Sequence, residues 1–533
     1  TERLREKRQN WLNWWQEIAF RVMPSSATFT VDGPEGTKRT ERQFSGKPVT
    51  ANEGFASIMD DLVTPRTQYW HGLEAQDESI NDDQEVARYF ERLTKLLFAL
   101  RYSPTANFAS QRSQGYLSMG AFGNTCLFID EQVGVGPLYK QIFMREVLWA
   151  QNAHGRIDTV HRDFKMSVTN AAQMFGGVGK LPERMRVAYE KNPYQEFPFL
   201  HCVAPNEELV PSRRDHRGMP YASHYVGVDD KVILQRAGYR GFPFAIGRYL
   251  LGPGETFARS PAMSSWGAIL TLNEEKKTVL RSGQRAVDPP LLLTEDGPLD
   301  AFNMRSNALN YGALAGDGTA LVQPLKTDAN IPLGIELMEI EQQEIDDAFL
   351  VTVRNMLLNE NIKTATQVYE VIQQKGAILA PMAGRMESED LGPMIQREME
   401  IASRQTANAW IFEEMPQKLR DAGGLYKIKF TSPLAKAMRT QEAAAVLRTF
   451  EAIGQAIQID PSAAFVLDVP QAVREIAEIS GVPAHLLRDE KTVQQMQADH
   501  VQQQQLSQAA QLAPNVSTAV LNAAKAEQLR SGA

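Results

Sequence analysis

Apolar residues recur at helical spacing in three stretches near the start of the chain. Trp11, Trp14, Trp15, Ile18 and Val22 share one face among Arg and Lys, with Pro24 as the stop, which predicts an amphipathic helix. Such a face could lie on a membrane surface, but tryptophans at this spacing fit buried anchors against a neighbouring domain or subunit better. A second helix is predicted in GFASIMDDLVTP, where Phe55, Ile58, Met59, Leu62 and Val63 line one side before Pro65 ends it. A third runs through VARYFERLTKLLFAL. Between about residues 125 and 250 the pattern becomes short and β-rich: CLFID, LYKQIFM, RIDTVHRDF, FLHCVA, ASHYVGV and KVILQRA, separated by Gly, Pro and Asp or Asn turns. This predicts a mixed α+β region.

From Pro261 the helical period returns through Met263, Trp266, Ile269, Leu270, Leu272 and Val279, until Asp288, Pro289 and Pro290 stop it. Residues 287 to 331 hold many turn formers, and a structureless loop of that size inside a compact chain is unusual, so a small folded insertion is expected. A helix then begins near Pro332 and runs through IELMEIEQQEIDDAFLVTVRNMLL. The loop QQKGAILAPMAGRM, residues 373 to 386, breaks the register, and another long helix is expected from about Glu387 to Glu414. KIKFTSP reads as a short strand, and the Ala-rich remainder as helices broken at Pro461, Pro470 and Pro483. Nine Gln fall in residues 494 to 511, and such a tract either lacks structure alone or packs helically against copies of itself.

Composition narrows the class. The chain has 533 residues, 43% apolar and 23% charged, which suits several folded units and excludes collagen-like, wholly disordered and disulfide-scaffold proteins. A net charge of -8 disfavours wholesale electrostatic binding to nucleic acid or anionic membrane, so a DNA partner would need local basic patches. Cys126 and Cys202 suit a reducing compartment and exclude a four-cysteine zinc site within one chain. With no apolar run long enough to span a bilayer, the expectation is a soluble, unsecreted protein without a membrane partner.

Catalytic signals are weak. GGVGKL, residues 176 to 181, has Met174 and Leu181 where a phosphate loop needs its first Gly and its hydroxyl, so it reads as a turn. His161-Arg162-Asp163 mimics a kinase triplet without the Asn that should follow. The acidic runs NDDQE and EQQEIDD fit solvated faces better than metal sites. No HExxH or GxSxG is present, and neither metal nor cofactor is expected.

The order of segments resembles the head-to-tail connector, or portal, proteins of short-tailed bacteriophages. The resemblance is carried jointly by FASIMDDLVTPRTQYWHGL, FASQRSQGYLSMGAFGNTCLFID, HRDFKMSVTNAAQMFG, GFPFAIGRYLLGPGETFARSPAM and AILAPMAGRMESEDLGPMIQRE. Where the family pattern reads GExYGRSP, this chain has Phe257 and Ala258 in place of Tyr-Gly.

The resemblance implies an α+β, mainly helical subunit of a ring, typically of about twelve copies. Its parts would be a wing over residues 1 to 260, stem helices at 261 to 286 and 332 to 358, and a clip at 287 to 331 between them. A channel loop and long wing helix would fill 359 to 435, a crown 436 to 510, and a terminal barrel or tail 511 to 533. It further implies double-stranded DNA passing through the ring, and docking of a terminase motor, a tail adaptor, and major capsid and scaffolding proteins, in the virion and in the host cytoplasm during assembly. Gln373, Gln374, Lys375 and Arg385 are the candidates for touching DNA, with Lys375 and Arg385 meeting phosphates; pairing of these charges with Glu387 or Glu389 of a neighbour is the competing reading. Arg305, Asp317 and Lys326 are candidate docking contacts in the clip. On this reading the protein is not an enzyme. A neck or tail-tube ring protein and a metal-dependent nucleic-acid enzyme are the alternatives.

Overall fold

A computed structural model describes residues 1–34, 36–81, 83–293, 303, 305, 307, 309–310, 313–325, 331–352, 382–433, 435 and 496. The chain divides into two compact units, one formed by residues 1–70, 97–409 and 432–438 and the other by 71–96, 410–431 and 439–533.

In the first unit, helix α1 (Glu2–Val22) buries Trp15, Ile18 and Val22, so the tryptophan face is covered from within the chain. Trp15 meets Phe29, Phe122 and Phe257, and Phe257 stacks on Trp149 at 4.6 Å, forming one aromatic core. Helix α2 (Lys47–Val63) buries the predicted Phe55, Ile58, Met59 and Val63. The helix α3 (Gln84–Arg101) delivers its last turn to this unit, and α4 (Phe108–Phe122) is packed on nearly all sides. Gly123 ends α4 with a φ of 76°, and a methyl there would lie 2.4 Å from the Ala258 carbonyl oxygen, so glycine is required both for the turn and for the contact.

The β-rich region forms two antiparallel sheets. One has the order β3 (Gly136–Gln141), β2 (Asn124–Gln132), β9 (Phe244–Arg248). The other runs β4 (Val147–Gln151), β5 (Ile157–Ser167), β6 (Glu196–Pro205), β7 (Tyr221–Gly227), β8 (Val232–Tyr239) in chain order, a meander. Strand β6 alternates strictly, turning Phe197, Phe199, His201 and Val203 inward. Helices α5 (Val168–Met174) and α6 (Glu183–Lys191) supply Ala171 and Met185 to a core with Phe175, Phe197, Phe199 and Tyr225. GGVGKL is the turn between those helices, with Gly176 and Gly177 at φ 80° and 109°. His161, Arg162 and Asp163 lie within a strand, far from a catalytic-loop geometry.

Helices α7 (Pro261–Ser264) and α8 (Trp266–Val287) follow, with the Ser260 side chain accepting from the Met263 N–H to cap α7. Phe257 and Ala258, the departure from the family pattern, are both buried. Asn124 grips Ala258 from both sides, donating to its carbonyl at 3.0 Å and accepting from its N–H at 2.9 Å. The strands β10 (Leu291–Leu293) and β11 (Val322–Pro324) pair antiparallel at the neck of the expected insertion. Helix α9 (Ile331–Ala348) ends earlier than its hydrophobic period suggests, because Leu350 takes a φ of 61° and breaks the register.

The expected helix from Glu387 to Glu414 is divided. It starts with a π-helical turn, Glu387–Leu391, continues as α10 (Gly392–Arg404), and stops where Gln405 becomes extended at ψ 128°. Asn408 enforces the stop by donating its side-chain N–H to the Ala402 carbonyl at 3.2 Å, replacing a helical bond. In the second unit, β1 (His71–Ala75) pairs antiparallel with β12 (Tyr426–Phe430), the predicted KIKF strand. The NDDQE run there is structural, with Asp83 accepting from the Glu85 N–H at 2.9 Å at the head of α3 and pairing with Lys418.

His201 gives the β-meander a pH dependence. Its ring is buried, stacks on Tyr225 at 3.9 Å and shares a 2.9 Å hydrogen bond with Ser223, and burial pushes its pKa down to about 3. The unfolded chain takes up this proton below about pH 6.5 and the folded chain does not, so stability falls as pH drops toward the folded value. Lowering the pH from 7 to 5 costs about 2 kcal/mol through this residue. Urea unfolding of His201→Gln should show a pH 7 to pH 5 loss smaller by that amount than the wild type; equal losses would contradict the assignment.

Candidate functional site: the arginine pairs of residues 389 to 404

Arg385 occupies the short helical run 382–386, half-buried, and leads straight into the π turn. Gln373, Gln374 and Lys375 lie outside the described residues, as does Lys326. Arg305 and Asp317 are exposed in the insertion between β10 and β11. Asp317 closes a turn by accepting from the Thr319 N–H and hydroxyl, and these hydrogen bonds hold its carboxyl below the ordinary range. Among the described residues no hydrogen bond or ion pair joins Arg385, Arg305 and Asp317 to one another.

What the structure does bring together is a set of arginine–carboxylate pairs centred on residues 389–404, and the helical run at 382–386 means that the expected loop does not extend to residue 386. Arg248 on β9 forks onto Glu389, donating Nε at 2.7 Å and Nη2 at 2.6 Å. Arg112 of α4 meets Asp390 at 2.6 Å with both side chains fully enclosed. Arg101, at the end of α3, pairs with Glu398 through two donors, and the buried Tyr139 hydroxyl donates to the same carboxylate. Arg397 and Arg404 both hold Glu400, whose carboxylate also accepts from the Gly241 N–H at 3.0 Å. Arg404 reaches Glu131 on β2 at 2.9 Å. Two helices, α3 and α4, and three sheet strands, β2, β3 and β9, are thereby fixed to residues 389–404.

Charge governs the protonation states here. Burial works against a charged Arg112, yet the Asp390 carboxylate beside it lifts its pKa above the ordinary arginine value. Arg112 lies 4.4 Å above the Tyr116 ring, and burial pushes that phenol up to about 12 while its hydroxyl shares a 2.9 Å bond with Thr64. Burial, with Glu398 nearby, raises Tyr139 as well, so it stays a neutral donor. The Glu389 side chain is held by Arg248 of its own chain.

Geometry explains the π turn. The Gly392 N–H bonds back five residues to the Glu387 carbonyl, and a methyl on Gly392 would lie 2.7 Å from that oxygen. Pro393 follows, lacking the N–H an α-helix would need there. The wider turn lets the adjacent Glu389 and Asp390 reach arginines on different elements, β9 and α4. Only Arg397 and Arg404 with Glu400, at helical i,i+3 and i,i+4 spacing, could be proposed from the sequence; the pairs that reach other elements could not, since partners such as Arg112 and Asp390 stand 278 residues apart. The one available signal was the density of acids in ESEDL just past the loop. Among the described residues no group of three or more His, Cys, Asp or Glu could hold a metal ion, and no helix is long and apolar enough to cross a membrane.

Removing half of an enclosed pair strands a buried charge, at a cost of about 3–5 kcal/mol. Arg112→Met and Asp390→Leu should each lose that much in urea unfolding, and the double variant should recover most of it. A double variant as unstable as the sum would contradict a paired role.

The family model for the bacteriophage head to tail connecting protein matches residues 1–487. A probable portal protein of Bordetella phage BPP-1 is 25% identical over 96% of this chain and 91% of its own length. The portal protein of Salmonella phage epsilon15 is 24% identical over 98% of this chain and 97% of its own. A chain in the solved neck of an empty GTA particle covers 75% of this chain and 86% of its own at 12% identity, with a TM-score of 0.32, too slight a likeness to bear on the fold. The match over most of its length places this chain in the bacteriophage head-to-tail connecting, or portal, protein family.

Proposed function

We propose that the chain is the repeating subunit of a ring of about twelve copies. The ring sits at one capsid vertex, and double-stranded phage DNA is packaged and ejected through it. The observation that carries this reading is the end-to-end relation to two phage portal proteins. Residues 1–260 serve as the wing, 261–286 and 332–358 as the stem, 287–331 as the clip, 359–435 as channel loop and wing helix, 436–510 as the crown, and 511–533 as a terminal barrel or tail. The terminase motor and tail adaptor dock at the clip through Arg305, Asp317 and Lys326, while capsid and scaffolding proteins meet the outside. The role is mechanical, and ATP hydrolysis belongs to the motor.

The arginine pairs at 389–404 support a specific part for the preceding loop. A loop that touches moving DNA must transmit force to the body of the subunit, and paired charges that fix its foot to α4, β2 and β9 supply a stiff attachment. Gln373, Gln374, Lys375 and Arg385 would then meet the duplex. A net charge of -8 per copy lets DNA slide, since each lasting Lys or Arg contact with phosphate adds affinity that opposes movement.

Native mass spectrometry of the purified chain should show closed rings, and a stable monomer at micromolar concentration would contradict the proposal. Lys375→Ala with Arg385→Ala should leave rings intact while reducing the DNA packaged or retained per particle. Normal DNA-filled particles from that double variant would overturn the loop assignment alone.

A further inference from the structure

The connection between β6 and β7, residues 206–219, gathers basic side chains beside β8 and is held in one conformation by its own backbone. Asn206 donates its side-chain N–H to the Met219 carbonyl at 2.9 Å, and the Val210 N–H bonds to the Arg217 carbonyl at 2.9 Å. Asp215 caps the short turn His216–Gly218 by accepting from the Arg217 N–H at 3.2 Å. Gly218 sits so close to the Arg213 carbonyl that no side chain fits there, and a methyl on Gly238 of β8 would lie 2.6 Å from Met219 Cβ. The loop is therefore packed onto the sheet.

Strand register sets His224 of β7 directly opposite Arg236 of β8, on the face turned away from the Phe199 and Tyr225 core. His216 of the loop stands near both. Burial lowers the His224 pKa, and the charges of Arg236 and His216 lower it further. The His224 Nδ1 is enclosed and has no hydrogen-bond partner among the described residues. Asp215, the acid of this turn, is taken by Arg213, which donates Nε at 3.1 Å. Among the described residues Arg214, Arg217 and Arg236 form no ion pair. Like charges held together without acids work against stability, and a packed loop that keeps them so offers a site for negative charge.

The rim of this site distinguishes an acidic protein segment from a nucleic acid. Leu209 and Val210 are exposed on the loop, with Val210 bonded alongside Arg217, and Glu207 and Glu208 stand exposed next to them. A phosphate backbone carries charge at every step, so it gains nothing from the apolar pair and is repelled by the two acids. A peptide that mixes acidic and apolar residues sets carboxylates on arginine and apolar side chains on Leu209 and Val210. We infer that this loop, with the outer face of β7 and β8, is a docking surface for an acidic, partly apolar segment of another protein, its carboxylates received by His216, Arg217 and Arg236. The inference stands independently of the ring reading.

The test uses a fluorescein-labelled peptide, Ser-Glu-Glu-Leu-Glu-Glu-Val-Ser, titrated with the purified chain and followed by anisotropy. The same peptide with Lys in place of Glu and a short duplex DNA are the comparisons. The acidic peptide should bind and the Lys peptide should not. Arg217→Glu with Arg236→Glu should weaken binding by about tenfold or more, and Arg217→Gln with Arg236→Gln by less. Both altered side chains are exposed, and thermal melting by circular dichroism checks the fold; if the reversed pair melts early, the neutral pair carries the test. Hydrogen exchange in residues 206–219 and in β8 should slow when the acidic peptide is bound. Absence of binding, equal affinity for the acidic and Lys peptides, or an affinity unchanged in both variants would overturn the assignment. Tighter binding of the duplex, lost in the same variants, would overturn the protein partner in favour of a nucleic acid.

Discussion

The first unit depends on enclosed arginine–carboxylate pairs. Taking an arginine and a carboxylate out of water costs several kcal/mol per ion, and only close, well-oriented partners offset it. Such pairs add little stability over apolar residues of the same size, but they tolerate few alternative arrangements. In this chain enclosed pairs join Glu398 and Asp390 to α3 and α4, and half-buried ones reach β2 and β9. The aromatic core of Trp15, Phe122, Trp149 and Phe257 supplies non-directional burial, and the arginines supply the register.

The π turn connects this constraint to function. It places two neighbouring acids on different supports directly after the loop, so the helical run bearing Arg385 continues into anchored backbone. On the function proposed above, the segment before Arg385 meets the moving duplex, and the backbone that follows must hold. Buried charges fix the interior of the first unit.

Much of the secondary structure was legible because local pattern and burial agree. The α1 tryptophans, the α2 face, the six predicted strand segments and KIKF all follow from period and turn chemistry. Strands β4 and β9 escaped notice because β9 is buried at every position and β4 is short, so neither alternates. The breaks at Leu350 and Gln405 also escaped, since a left-handed leucine and an Asn408 side-chain bond leave no mark on helical period. At the candidate site, Arg385 could be singled out from the loop it borders, but the pairs that anchor it could not. Arg101 and Glu398 stand 297 residues apart, and long-range ion pairs have no spacing to read.

A single-particle reconstruction of the assembled particle, viewed along its axis, tests the central claim most directly. The account predicts a closed ring whose inner wall is lined by residues 373–386, with Glu389, Asp390 and Glu398 of every subunit held by Arg248, Arg112 and Arg101 of the same subunit. A ring with residues 373–386 on its outer surface, or with those arginines parted from their carboxylates, would contradict it.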